Sequence, residues 1–117
     1  MNRGDIYLML VPFTDGSGVK TRPAVIVSTD DSHRRFDDVT VIPITSNTTR
    51  SAIVPTQVLI DLTTTDGLTT GLLHSSVARC EKVATLHRSL LGRKIGHLSP
   101  TFLLQLDATL KIALGLM

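Results

Sequence analysis

The chain has 117 residues, of which 42% are hydrophobic and 19% charged, and its formal net charge is +2. This length and balance suit one globular domain over residues 1–117 and exclude a disordered chain. No apolar run approaches the roughly 20 residues that cross a bilayer, and the N-terminus lacks the features of a signal peptide. The single cysteine, Cys80, cannot form an intrachain disulfide. We therefore expect a cytoplasmic protein with no membrane segment.

The first half of the chain consists of short strand patterns separated by turns. Residues 5–11 are a β-rich run that Pro12 closes, and residues 14–19 contain two glycines, which indicates a mobile loop. Residues 23–29 are almost continuously apolar and β-branched, as in a strand buried on both faces, and Pro23 is expected to be its first residue. After a charged loop at 30–38, residues 39–44 predict another strand, which ends in the polar cluster 45–50.

The second half continues with strands and then changes period. We expect strands at 52–62, where Pro55 indicates an edge or a bulge, at 75–86 and at 93–98, with a loop at 63–71. Ser99 and Pro100 then predict a helix start, because a hydroxyl caps free N–H groups and the first helical position needs no N–H. Gly115 suits the helix end. The apolar face of this helix is formed by Phe102, Leu103, Leu106, Leu110, Ala113 and Leu114.

These elements predict a mainly β fold, a small and partly open antiparallel β-barrel with a C-terminal α-helix packed on it. Leu104 and Ile112 widen the apolar stripe of the helix. This surplus fits either a self-association surface or ordinary core.

The basic residues are grouped rather than evenly spread. A sequence pI near 9.0 permits binding of a nucleic acid without requiring it. Only four aromatic residues are present, so phosphate and backbone contacts would carry more of such recognition than base stacking. The basic groups comprise Arg3, Lys20 and Arg22, then His33, Arg34 and Arg35, and finally Arg79, Lys82, Arg88, Arg93 and Lys94.

Several segments in order along the chain resemble the MazF/PemK toxins. They are residues 4–7 (GDIY), 12–18 (PFTDGSG), 20–28 (KTRPAVIVS), 42–46 (IPITS), 76–79 (SVAR) and 91–99 (LGRKIGHLS). Each segment alone is a weak signal, but their common order and spacing is a strong one, and the resemblance spans nearly the whole chain.

The resemblance implies a MazF/Kid/CcdB-like barrel that pairs as a homodimer. It further implies a toxin of a type II toxin–antitoxin system, a sequence-selective endoribonuclease that cleaves single-stranded RNA and leaves a 2′,3′-cyclic phosphate. The expected partners are RNA and a MazE-like antitoxin that binds through a disordered tail; we expect no cofactor and no metal. Two alternatives remain open on the same fold, namely a non-cleaving module that binds RNA or antitoxin, and a CcdB-like gyrase inhibitor.

Two residues are the candidates for catalysis. Arg22 matches the arginine of the family's RRP or KRP turn, and its planar fork suits two-point contact with a phosphate. Because a guanidinium stays protonated, we expect it to act first as an electrostatic clamp and second as a proton donor. Thr45 matches the threonine of the PIT motif, where a hydroxyl can hold a phosphoryl oxygen or orient the 2′-hydroxyl.

A wider set of residues is expected to bind RNA. It comprises Phe13, Ser17, Gly18, Lys20, Ser46, Asn47, Ser76 and Arg79. Where many relatives have an acidic residue followed by glutamine, this chain has Cys80 and Glu81, so Glu81 is a displaced candidate for the acid/base role. The four histidines show no metal-ligand spacing. A histidine-based acid/base mechanism stays open, since His74 lies just before the strand that starts at residue 75, but an ordinary surface or partly buried histidine is the favoured interpretation.

Overall fold

The computed structural model describes residues 1–12, 15–48 and 54–116, without the side chain of Pro12. Within these ranges the chain forms an antiparallel β-structure and two helices. The strands are β1 Asp5–Pro12, β2 Val19–Ile26, β3 Asp38–Thr45, β4 Gln57–Ile60, β5 Ser76–Arg79, β6 Ala84–His87 and β7 Leu91–His97. The helices are α1 Asp30–Arg35 and α2 Pro100–Leu114.

Strand β3 lies at the centre of the topology. On one edge it pairs with β2, and on the other it pairs first with β6 and then with β5. The full order is β4-β5-β3-β2-β1-β7, with β6 beside β3. No pairing among the described strands closes β4 onto β7, so the barrel is partly open, as predicted.

The strands bury side chains on both faces. Ile6, Val25, Ile42 and Ile44 contribute to one core, which includes Phe102 and the fully buried Leu106 of α2 and other apolar groups. The second core contains Met9, Ala24, Ile26, Val39 and Val41. Because side chains alternate along a strand, adjacent residues of β2 and β3 enter different cores. This confirms the expectation that the second strand is buried on both faces.

The C-terminal helix begins and ends at the predicted signals. The Ser99 hydroxyl accepts a hydrogen bond from the Phe102 N–H at 3.2 Å, and Gly115 has the left-handed φ of 70° that glycine adopts without strain. Leu103, Leu110 and Ala113 pack against the core as predicted, but Leu114 is exposed, because its position in the last turn lies beyond the sheet-facing stripe. Leu104 and Ile112 are also exposed. Neither helix of the described residues is long and apolar enough to span a membrane.

Several predicted boundaries were wrong. The predicted loop at 30–38 contains helix α1. The Thr29 hydroxyl caps the N-terminus of this helix, and its acidic first turn and basic last turn interact favourably with the helix dipole. Strand β2 begins four residues before Pro23. Pro23 is tolerated inside the strand because β2 pairs with β3 only from Ala24 onward, so the missing N–H of Pro23 breaks no hydrogen bond to β3. The expected strand at 75–86 is divided into β5 and β6 by a 3₁₀ turn, Cys80–Lys82.

The remaining boundaries moved less. Strand β4 covers only Gln57–Ile60 of the expected 52–62, and residues 52 and 53 lie outside the described ranges. The predicted loop at 63–71 contains a 3₁₀ turn, Thr65–Thr69, and β7 starts two residues early.

The thiol of Cys80 is fully buried in the turn between β5 and β6. Burial, together with the negative charges of Glu81 and Asp107, raises its pKa to about 11. Since the thiolate is the reactive form, Cys80 is a small core side chain and not a nucleophile.

Arg3 joins the start of the chain to the residue that follows β2 and to helix α2. Its Nε donates to the Val27 carbonyl oxygen at 2.8 Å, and its two terminal nitrogens contact the Asp107 carboxylate of α2 at 2.6 and 3.3 Å. Both side chains of this ion pair are about two-thirds shielded from solvent, at 31% and 37% exposure. A two-point, partly shielded pair is stronger than an ordinary surface pair.

We predict that Arg3→Ala lowers the free energy of unfolding by about 1–2 kcal/mol, because it removes the bidentate pair and the bond to Val27. Arg34→Ala is the matched control, since Arg34 pairs with Asp31 on the exposed helix α1 and should change stability by less than about 0.5 kcal/mol. Urea denaturation of the two variants would measure this. Equal stabilities would mean that Arg3 does not fasten α2.

Candidate functional site

Two pockets lie beside the end of strand β3. The first has a volume of about 440 Å³, and we call it the basic pocket. It is lined by Leu8, Lys20, Thr21, Arg22, Pro23, Ile44, Ser46, Gly71, Leu72, Leu73, His74, Ser76, Arg93 and Ile95. Its walls therefore come from β1, β2, β7, the end of β3 and the segment between the Thr65–Thr69 turn and β5.

The charged residues that the structure describes in the lining of the basic pocket are all basic. Lys20 and Arg22 come from β2 and Arg93 from β7, whereas none of the described residues lining the pocket is acidic. Arg22 is half-buried, and within the described part of the chain its guanidinium has no ion pair and no hydrogen bond. A partly desolvated fork of donors with no protein acceptor is suited to an anionic ligand such as a phosphate.

The segment 71–75 forms one wall of the basic pocket and is fixed at both ends. At its start, Gly71 has a φ of 72°, and a Cβ there would overlap the Ile95 carbonyl oxygen of β7. At its end, the hydroxyl of the buried Ser76 donates to the His74 carbonyl oxygen at 2.8 Å. Ser75 accepts a hydrogen bond from the Leu62 N–H at 3.0 Å. The wall is therefore preorganised, with Leu73 and His74 exposed on it.

The second pocket has a volume of about 620 Å³, and we call it the polar pocket. It is lined by Thr45, Asn47, Val54, Thr56, Gln57, Arg79 and Glu81. Its centre is the Glu81 carboxylate, which accepts hydrogen bonds from Gln57 Nε2 at 2.7 Å, Arg79 Nε at 3.1 Å and Thr56 Oγ1 at 3.2 Å.

These contacts define the charge state of Glu81. Burial raises the pKa of its carboxyl, but the hydrogen bonds from Gln57, the backbone, Arg79 and Thr56 together lower it below the ordinary value. Glu81 is therefore a carboxylate at neutral pH, and it is a weaker base than an isolated glutamate.

The structure divides the predicted site residues between the two pockets. Lys20, Arg22, Ser46 and Ser76 line the basic pocket, while Thr45, Asn47, Arg79 and Glu81 line the polar one. The two catalytic candidates, Arg22 and Thr45, thus lie in different pockets. Ser17 and Gly18 are exposed and line neither, and Phe13 lies outside the described residues.

Two hydroxyls already have backbone partners. Thr45 Oγ1 accepts the Asn47 N–H at 3.2 Å, which caps the strand end and leaves its O–H free to donate. The Ser76 hydroxyl donates to His74, so its contribution to the basic pocket is to hold the wall.

Three residues that line the pockets, Arg93, Gln57 and Thr56, were not predicted as site residues. His74, for which an ordinary histidine was the favoured interpretation, lines the basic pocket. Arg93 belongs to the LGRK segment, and that motif was the one available signal for it. Gln57 and Thr56 reach the polar pocket because β4 pairs with β5, bringing Gln57 opposite Arg79. Such long-range pairing has no local sequence signature. Among the described residues, no three His, Cys, Asp or Glu side chains are arranged to hold a metal ion.

A family model described as a PemK-like, MazF-like toxin of type II toxin–antitoxin systems matches residues 2–114. The chain belongs to this family. It is 35% identical to endoribonuclease MazF9 of Mycobacterium tuberculosis over 99% of this chain and 98% of the relative. It is also 32% identical to endoribonuclease MazF of Staphylococcus epidermidis, over 99% of this chain and 92% of that one.

Solved structures agree with the fold. A mycobacterial endoribonuclease in complex with its cognate antitoxin superposes with a TM-score of 0.77 at 25% identity, covering 100% of this chain and 97% of that chain. The M. tuberculosis toxin MazF-mt6 gives 0.73 at 25% identity, covering 95% and 98%. A MazE–MazF structure from Deinococcus radiodurans gives 0.76 at 17% identity, covering 100% and 98%, which supports the fold alone. The prediction of a MazF/PemK-like barrel with a C-terminal helix is confirmed.

We predict that Gly71→Ala destabilises the protein by about 2–4 kcal/mol, because a methyl group strains the positive φ and also overlaps the β7 backbone. Gly16→Ala is a matched control, since Gly16 has a similar φ of 76° and nothing within 4 Å of its Cβ position. It should cost only about 1–2 kcal/mol, the strain term. Thermal unfolding would compare the two variants. Equal decreases in Tm would mean that the added methyl group at residue 71 is accommodated by the wall of the basic pocket without a further loss of stability.

Proposed function

We propose that this chain is the toxin of a type II toxin–antitoxin pair and that it cleaves single-stranded RNA in the cytoplasm without a metal ion. One observation carries the proposal at the site: among the described residues, the half-buried Arg22 guanidinium has no acidic partner, and the charged residues that line its pocket are all basic. Family membership and relatives named endoribonucleases support the same activity.

In the proposed reaction the 2′-oxygen attacks the neighbouring phosphorus. The P–O5′ bond breaks, and the products are a 2′,3′-cyclic phosphate and a 5′-hydroxyl. Negative charge on the phosphoryl oxygens grows during this step. Donors fixed in advance around those oxygens supply the largest share of catalysis, because they need no reorganisation as the charge develops. Arg22 fills this role as a two-point clamp, with Lys20 and Arg93 adding charge around it.

The polar pocket provides the second half of the proposed RNA path. Thr45 and Ser46 are adjacent in the chain and line different pockets, so RNA crossing the end of β3 would contact both. The Thr45 hydroxyl keeps its proton for a phosphoryl oxygen or the 2′-oxygen, since its acceptor side is used by Asn47. Asn47, Gln57 and Arg79 offer donors and acceptors for base edges of unpaired nucleotides. Ser17 and Gly18 belong to the segment 15–19 that is proposed to cover the RNA, and Phe13 is proposed to stack on a base.

The proposed partners follow the family. A MazE-like antitoxin would block the RNA path with a disordered tail, and one solved relative is an endoribonuclease in complex with its cognate antitoxin. A homodimer is the proposed working form.

We predict that Arg22→Ala lowers RNA cleavage by at least about 10²–10³-fold, because it removes a principal donor to the phosphoryl oxygens. The assay uses mixed-sequence single-stranded RNA in EDTA, with fragment ends read by mass spectrometry. Circular dichroism confirms that the variant is folded. Arg35→Ala, which alters an exposed arginine of α1 paired with Asp31, should retain full activity.

Discrete fragments with cyclic phosphate ends from the wild type, absent with Arg22→Ala, would establish the proposed reaction. A folded Arg22→Ala variant that still cleaves would remove Arg22 from the mechanism. Intact RNA with wild-type protein free of antitoxin would favour the non-cleaving module, and a gyrase assay would follow.

We predict that RNA affinity falls steeply as salt concentration rises, because the cationic side chains that contact the phosphates release counterions from the RNA. If Lys20, Arg22 and Arg93 each neutralise one phosphate, a plot of the logarithm of the binding constant against the logarithm of salt concentration has a slope of about −2 for each basic pocket. Arg93→Ala reduces the magnitude of this slope by about 0.7. Fluorescence anisotropy with a 2′-O-methyl RNA avoids cleavage during the measurement. Arg34→Ala, outside both pockets, should leave the slope unchanged, and a slope near zero for the wild type would contradict the basic pocket as an RNA site.

A further inference from the structure

Arg79 lies at the end of β5, where backbone contacts fix its position. The N–H of the next residue, Cys80, donates to the Thr56 carbonyl oxygen at 3.0 Å, and the Cys80 side chain is fully buried. Across the β4–β5 ladder, Arg79 pairs directly with Gln57. Side chains of a directly opposed pair lie beside each other on one face of the sheet. Arg79 and Gln57 therefore enter the polar pocket as neighbours.

The Glu81 carboxylate orients both of these side chains. Its Oε1 accepts hydrogen bonds from Gln57 Nε2 at 2.7 Å and from Arg79 Nε at 3.1 Å. Because a carboxylate can only accept, Gln57 turns its amide nitrogen toward Glu81, and its amide oxygen is left as an acceptor. Among the described residues, the two terminal nitrogens of Arg79 have no partner. The pocket thus presents a planar fork of two N–H donors, held through its Nε, with an acceptor close by.

The charges of the polar pocket favour a base edge over a phosphate. In the described lining of this pocket, Arg79 is the one cation and Glu81 the one anion, so their charges compensate each other. The charged residues described in the lining of the basic pocket are all basic. A phosphate therefore gains more in the basic pocket, and the Arg79 fork is left for neutral groups that accept hydrogen bonds in fixed directions.

A fork of two donors discriminates among the four bases of RNA. It needs two neighbouring acceptors, which guanine has at O6 and N7 and cytosine has at O2 and N3. Adenine and uracil have no such pair of neighbouring acceptors on their base edges. In single-stranded RNA these edges are free of base pairing and open to side chains. The contact of an arginine with guanine O6 and N7 is the commonest of this kind.

We infer that Arg79 selects a base with two neighbouring acceptors, guanine or cytosine, at one position of the cleaved RNA, an inference that rests on the proposed RNA cleavage. The Arg79 terminal nitrogens donate to the two acceptors, and the Gln57 amide oxygen can accept from a base N–H group. The bond from Arg79 Nε to Glu81 holds the fork in place, whatever part Glu81 takes in the cleavage itself.

The test uses a library of single-stranded RNA with randomised positions, incubated in EDTA, with the cut ends read by sequencing. At one position, wild-type protein should cleave guanine or cytosine about 5–100-fold faster than adenine and uracil. Arg79→Lys keeps the charge but has no fork, so it should lose this preference, as should Arg79→Ala. The readout is the ratio between bases. A variant that merely disturbs Glu81 slows cleavage of all sequences alike and leaves the ratio unchanged.

Base analogues test the same contact from the side of the RNA. In an RNA of fixed sequence, 7-deazaguanosine replaces a preferred guanosine, or 3-deazacytidine replaces a preferred cytidine. Each analogue exchanges one acceptor nitrogen for a C–H group. Wild-type protein should cleave the analogue at least about 10-fold more slowly, because a hydrogen bond from a charged donor is lost. Arg79→Lys should cleave the analogue and the natural base at equal rates.

Arg35→Ala is the matched control. Arg35 Nε also donates to a carboxylate, that of Asp31 at 2.8 Å, but Arg35 lies outside both pockets. This variant should keep the wild-type preference among bases, and circular dichroism confirms that each variant is folded.

Failure of the inference is distinguishable from failure of the proposed function. An unchanged base preference in folded Arg79→Lys, or wild-type cleavage without a preference for guanine or cytosine at any position, would overturn the role of Arg79 and leave RNA cleavage intact. Wild-type protein that cleaves no RNA in the same assay would overturn both.

Discussion

The pairing of strand β3 on both edges is the constraint on which the rest of the structure depends. Its residues from Asp38 to Val41 pair with β6, and Ile44 and Thr45 pair with β5. The 3₁₀ turn at Cys80–Lys82 absorbs the change of register between these two ladders. This arrangement gives β3 two buried faces, seats α2 against one of them, and brings Thr45 and Ser46 to separate pockets at its end.

The distribution of positive charge shows why a net charge describes this protein poorly. Lys94 pairs with the buried Asp5 at 3.2 Å, and Arg88 donates to the carbonyl oxygens of His33 and Phe36. These cations stabilise the fold. Arg93 precedes Lys94 directly, yet it lines the basic pocket, because neighbouring side chains leave a strand on opposite faces. The local charge of the pocket, and not the total of +2, is what favours an anionic ligand.

The two pockets differ in chemistry in a way that suits a division of labour on RNA. The basic pocket combines cations with apolar walls and a fixed loop, and in the proposed function it would hold the scissile phosphate. The polar pocket is organised around Glu81, whose hydrogen bonds hold Gln57 and Arg79 in place. Side chains fixed by such a network present their remaining donors and acceptors in one arrangement, which favours selectivity among bases.

The sequence by itself determined the fold class, the order of most strands, the capped helix at Ser99–Gly115, the family and the candidates Arg22 and Thr45. These features depend on local signals: side-chain period, capping residues and motifs in order. It did not determine helix α1, the early start of β2 or the division of β5 from β6, because pairing and capping outweighed the local pattern there. Only the tertiary structure brought His74 and Arg93 to Arg22 and left Glu81 in another pocket. The physical reason is that a pocket joins residues far apart in sequence, through strand pairing and backbone contacts such as Gly71 against β7 that no short segment encodes.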